Sequence, residues 1–207
     1  MSVVDQIKHL DPCSKSIAWL RKYDDLQTAW DECERGDWML WYAGMLSGPP
    51  ESEGRKPLVL AACACARLVL PYVPEGETRP LQAIETAERW ANGEALIRDV
   101  RKDYAAAYDA SADAAAAAYD ASADAYAYAD AAAAAANAAA AADADAADAA
   151  AYDAAAYAAY DAAAYAAYDA AADAAYDARW SALKQCADIV RKFYPLVPKS
   201  VISIGTV

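Results

Sequence analysis

"YDASADAAAAAYDASADAYAYA" occupies residues 108–129, and "AAYDAAAYAAYDAAAYAAYDAAADAAYDA" occupies residues 150–178. Neither contains a glycine or a proline, and the whole interval from Glu94 to Tyr194 lacks both. Alanine is the strongest helix former, so low complexity does not mean disorder here. The interval predicts long helices and an all-α protein.

Two repeat registers are legible. The first has a period of eleven, "YDASADAAAAA" (108–118) followed by "YDASADAYAYA" (119–129). Eleven residues nearly fill three helical turns, so a stripe keeps to one face. At about 100° per residue, Asp109, Asp113, Asp120 and Asp124 fall within roughly 60° of each other. Tyr104, Tyr108, Tyr119 and Tyr126 form a second stripe, which predicts an amphipathic helix with tyrosine as its apolar anchor. The second register, "YDAAAYAA", has a period of eight and starts at 152 and 160, with a degenerate copy at 168. It advances by roughly 80° per repeat, so its tyrosines wind around the axis, as neighbours on several sides require. Asp153, Asp161, Asp169 and, beyond the last copy, Asp177 carry its acidic positions.

One unbroken helix over this interval would exceed about 100 Å at ~1.5 Å per residue. "AADADAAD" (141–148) concentrates a good N-cap residue, so a turn is expected there. Two long helices, packed antiparallel, would follow, with alanine faces in close approach and tyrosine rings filling the gaps.

Ordinary composition flanks the repeats. Residues 1–98 read as a small helical bundle, 99–178 as the repeat segment, and 179–207 as a C-terminal helix and tail that rejoin the core. Ser14 is placed to cap one helix and Asp24 or Asp25 the next; Gly36 should end that helix and Asp37 cap its successor. Pro57 and Pro80 stand at first-turn positions, and Pro71 ends "LVLAACACARLVL" (58–70). Because alanine buries little area, the core is expected to come mainly from Trp, Leu, Ile and Val outside the repeats. Trp19, Trp30, Trp38, Trp41 and Trp90 should lie in it, and Trp180, Leu183, Ile189 and Val190 should rejoin it.

Charge is unevenly placed. From Asp103 to Asp177 there are 14 Asp and no Glu, Lys or Arg, which leaves 17 acidic against 18 basic residues elsewhere. The whole net charge of −13 therefore belongs to one segment. A concentrated field of one sign suits a basic protein partner or the solubility of an alanine surface. It disfavours direct binding of nucleic acid or an anionic membrane.

Chemistry of other kinds finds little support. His9 is the single histidine, which leaves no histidine dyad or zinc set. Cys63 and Cys65 are two apart and point to different sides of a helix, so they read as small core residues. No glycine pattern for phosphates occurs, and neither a cofactor nor a metal is expected. "RGDW" (35–38) reads as a helix connection. The five cysteines are odd in number and scattered; reduced, buried, cytosolic thiols are expected. "MSVVDQIKHLDP" lacks the basic start and apolar run of a signal peptide. No stretch is apolar enough to span a bilayer, so a soluble cytoplasmic protein is expected.

Trp30 and Cys33 ahead of Gly36-Asp37-Trp38, then Ala62-Cys63, Ala66-Arg67, Arg79-Pro80 and Trp90, carry a resemblance. With "CADIVRKFYP" (186–195) they resemble the immunity protein family of bacterial polymorphic toxin systems, over somewhat under half the chain. The resemblance implies a non-enzymatic inhibitor of a cognate toxin, and members of that family often carry an alanine-rich middle. Charge and resemblance together predict a binding surface of Asp109, Asp113, Asp120, Asp124, Asp153, Asp161, Asp169 and Asp177, with Tyr108 and Tyr119. The alternative is structural: the eight-residue register drives self-association into a homo-oligomer or filament. The eleven-residue period also resembles type I antifreeze helices, although the repeats contain no threonine.

Overall fold

The structure, a computed structural model, describes residues 2–49, 51–118, 123–142 and 172–199. Among these residues all regular structure is helical. The α-helices are α1 (Val3–Ile7), α2 (Ser14–Leu20), α3 (Leu26–Glu32), α4 (Gly36–Met45), α5 (Arg55–Ala66), α6 (Arg79–Ala91), α7 (Ile97–Ala118), α8 (Ala123–Ala140) and α9 (Ala172–Phe193). Short 3₁₀ turns cover Lys8–Leu10 and Arg67–Tyr72.

Local chemistry sets many of these boundaries. Asp25 caps α3, accepting from the Gln27 and Thr28 amides at 2.9 and 3.0 Å. A capping box of Ser2 and Asp5 opens α1. Pro80 is the second residue of α6, and Pro71 lies inside the 3₁₀ turn that follows α5. Ser14 does not cap α2: it is the first helical residue, and Cys13 holds the cap position without a side-chain bond.

Gly36 and Asp37 also differ from expectation. α3 ends earlier, at Glu32, and Gly36 opens α4. A Cβ on Gly36 would lie 2.3 Å from Cys186 Cβ and 2.6 Å from the Ala187 nitrogen. Glycine is therefore required for α4 to touch α9. The buried Asp37 carboxylate caps nothing and instead takes the Arg35 guanidinium, whose Nε donates at 2.8 Å.

The main core gathers Trp30, Met39, Leu40, Leu58, Val59, Val69, Ile84, Trp90, Val100 and Val190. Trp19 and Trp38 pack against it half-buried, as do Ile97, Tyr104 and Ile189. The core is built mainly outside the repeats, as expected, and α8 adds an alanine face to it. Ala132, Ala134, Ala135, Ala136, Ala138 and Ala139 are buried, and so are Ala141 and Ala142 in the turn that follows. α8 packs against α5, α6, α7 and the second 3₁₀ turn. From Ala132 onward Asn137 is the one polar side chain of α8, so this part of the helix has little to keep in water. Small side chains let neighbouring backbones approach closely, and many dispersion contacts replace the area that each methyl lacks.

The end of α8 is held from outside. The Glu51 amide donates to Ala142 O at 3.2 Å, and buried Arg55 reaches Ala141 O at 3.5 Å and Gly48 O at 3.0 Å. These bonds satisfy carbonyls that a helix end leaves unpaired. The expected turn at 141–148 begins with Ala141 and Ala142, which form a turn, and its remainder lies outside the described residues.

α9 rejoins the core through Cys186, Ala187 and Val190. Leu183 does not join them; with Ala182 it forms a separate buried cluster, against which Trp180 packs.

Candidate interaction surface

α7 separates two kinds of residue. Val100, Ala107 and Ala110 are buried, and Asp103 and Tyr104 are half-buried beside them. These positions follow the i, i+3, i+4, i+7 spacing of a packed helical face. Tyr108, at 60% exposure, and Asp109 lie on the outside. The tyrosine stripe divides: Tyr104 packs half-buried against the main core, Tyr108 is exposed, and Tyr119 and the Tyr126 side chain lie outside the described residues. Ala107 and Ala110 supply the buried positions of α7, which packs along α8. Tyr104 and Tyr108 remain neighbours, with ring centroids 6.2 Å apart.

Two polar contacts fix α7 on α6. The buried Thr86 hydroxyl donates to Asp103 at 2.7 Å and receives Arg89 Nη2 at 3.0 Å. Arg79 Nη1 meets Asp113 Oδ2 at 2.9 Å, while Arg79 Nη2 holds Glu77 at 2.7 Å. Thr86 and Arg79 are seven residues apart, two turns along one face of α6. The aspartate series thus has mixed roles. Asp103 and Asp113 join helices, whereas Asp109 is exposed and makes no ion pair among the described residues.

The other expected site residues are distributed. Asp113 is 68% exposed despite its partner. Asp124 falls on α8, a different helix from Asp109 and Asp113, and its side chain lies outside the description. Asp177 is exposed on α9. Tyr119, Asp120, Asp153, Asp161 and Asp169 lie outside the described residues.

Cys33, Cys63, Cys65 and Cys186 are buried free thiols, whereas Cys13 is exposed, contrary to expectation. Burial pushes the Cys33 thiol up to about 11 and the Cys63 thiol up further. Cys65 is raised by its hydrogen bond with Cys186 and then by burial. Neutral core thiols result. His9 sits in the exposed 3₁₀ turn. Among the described residues no three His, Cys, Asp or Glu side chains come together as a metal set. No described helix is long and apolar enough to cross a membrane. The RGD tripeptide is not presented, because Arg35 binds Asp37 and stacks 4.3 Å from the Trp38 ring.

Fold and surface define an all-helical protein in which α7 turns Ala107 and Ala110 inward and Tyr108 and Asp109 outward. Comparisons with family models, with curated proteins and with solved structures return no match for this chain.

Proposed function

We propose that the protein is a non-enzymatic, immunity-type inhibitor that neutralises a basic protein partner, a cognate toxin, through an acidic helical surface. The observation that carries this reading is the outward pair Tyr108 and Asp109 on α7, early in the stretch that holds the entire net negative charge. Tyrosine beside a carboxylate offers a basic partner apolar contact, a cation–π face and a counter-charge at once. Aspartates four apart sit about 6 Å apart along a helix, comparable to phosphates on one strand, so a nucleic-acid-binding toxin fits the same surface.

The test is co-expression with the product of the neighbouring gene, scored by rescue of growth and by copurification. Replacing Asp109, Asp113, Asp120 and Asp124 together with Asn should weaken capture and flatten its salt dependence. Unchanged capture at low and high salt removes this surface from the reading. Light scattering on the purified protein addresses the self-assembly alternative, and a strict monomer at high concentration eliminates that alternative.

A further inference from the structure

Residues 194–198 read "YPLVP", and this irregular segment lies across α3 and α4. Three side chains seize its backbone. Trp30 Nε1 donates to Tyr194 O at 3.0 Å, the Val197 amide donates to Gln27 Oε1 at 2.8 Å, and Tyr42 OH donates to Pro198 O at 3.2 Å. Gln27 and Trp30 are three apart, on one face of α3. Asp31 accepts the Gln27 Nε2 proton at 2.8 Å, which turns the amide oxygen toward Val197. The Trp30 and Tyr42 rings form the wall, with centroids 6.1 Å apart.

The segment suits such a groove chemically. Pro195 and Pro198 have no amide proton to satisfy, and their fixed φ lowers the entropy lost on capture. Val197 is buried at 8% exposure, whereas Leu196 stands out at 71%. The spacing is Pro-x-x-Pro, which aromatic grooves elsewhere hold through carbonyl acceptors. A cleft of about 550 Å³ continues beside Val197, Pro198 and Lys199, walled by Leu10, Leu26, Leu46, Gln6 and His9.

We propose that the α3–α4 groove is a binding site for Pro-x-x-Pro polypeptide segments, occupied in the free protein by the chain's own residues 194–198. The groove is separate from the α7 surface, so this proposal stands or falls independently of the acidic one. Covalent tethering gives the resident segment a millimolar local concentration, and any other segment must displace it.

The probe is a fluorescein-labelled peptide of residues 192–199, KFYPLVPK, titrated into the full chain and into full-chain Val197→Asp, which releases the resident segment. Expected are saturable binding to both and at least about tenfold tighter binding to the variant, the ratio imposed on a site with a Kd of about 0.1 mM. Trp30→Phe on that background should weaken binding several-fold. Hydrogen exchange on the unmodified chain supplies a second readout, because saturating peptide should strip protection from the Val197 amide. No saturable binding to either protein at millimolar peptide overturns the proposal. So does Val197 protection that is unchanged at saturation, which places the peptide elsewhere. If circular dichroism finds Val197→Asp unfolded, the exchange measurement on the unmodified chain decides alone.

Discussion

α7 and α8 are both alanine-rich and neighbours in the chain, yet they are used differently. Along 132–142 every residue is buried except Ala133, Asn137 and Ala140, which share one half-buried stripe. Along 104–113 the pattern alternates, with Ala107 and Ala110 inside and Ala105, Tyr108 and Asp109 outside. Alanine itself therefore decides nothing about burial. The spacing of aspartate decides, because one carboxylate per turn or two leaves a helix only one face to hide. From Ala132 to Ala142, where no aspartate stands, most residues lie in the core.

The sharpest test of that contrast is one substitution made in both helices. Ala135→Asp places a carboxylate at a fully buried position of α8. An unpaired buried charge costs several kcal/mol, a large part of a typical domain's ~5–15 kcal/mol. Loss of cooperative thermal unfolding is expected. Ala105→Asp adds the same group on the exposed side of α7 and should change stability by no more than about 0.5 kcal/mol. Equal effects in urea titrations would break the comparison.

The next effect probes whether close approach matters equally in the aromatic half of the core. Gly36→Ala forces a methyl to 2.3 Å from Cys186 Cβ, with backbone behind it. Overpacking of this kind costs about 1–3 kcal/mol, read as a lower urea midpoint with an unchanged slope. An unaltered midpoint would mean that α4 and α9 separate freely.

A smaller change is expected at the seam between α6 and α7. Asp113→Asn removes one partner of Arg79, but Asp113 is well exposed at 68% and Arg79 partly so at 34%. Such a pair contributes less than about 1 kcal/mol and fades with salt. A loss that persists in high salt would make Asp113 a structural residue and sharpen the distinction from Asp109.

Much of this architecture is legible in the sequence. Glycine and proline punctuation located the starts of α5 and α6, and the Asp25 cap marked α3. The burial of 132–142 was not legible, because a run with Asn137 as its single polar residue shows no period to read. Its contrast with Asp109 and Asp113 was nonetheless in plain view. Gly36 resisted for another reason: its constraint comes from Cys186, 150 residues later, and no local rule reports a contact of that range. The same holds for Arg79 with Asp113, and for Gln27, Trp30 and Tyr42, whose partners lie near the far end of the chain. Much of what lies within one turn was readable, Ser14 and Asp37 excepted; what depends on a distant helix was not.

The smallest expected change in structure, and the one that reads the acidic face most directly, comes with acid. Asp5 is held down to about 2, chiefly by Lys8 and then by Ser2, and Asp25 is lowered by its bonds to Thr28. A carboxylate whose pKa falls on folding contributes stability above its unfolded value, near 3.9, and loses it as pH drops through the folded value. For Asp5 that window runs from about 4 down to about 2, so its contribution to the α1 cap outlasts a shift to about pH 4. The buried alanine face of α8 has no charge to lose. The Asp-only stretch does, and acidification toward the aspartate reference value of about 4 removes the repulsion that keeps copies of the chain apart. Far-UV helical signal should therefore hold from pH 7 to about pH 4, while light scattering rises. Helix loss without scattering would mean that the aspartates hold α7 through specific caps or partners, and that their display is secondary.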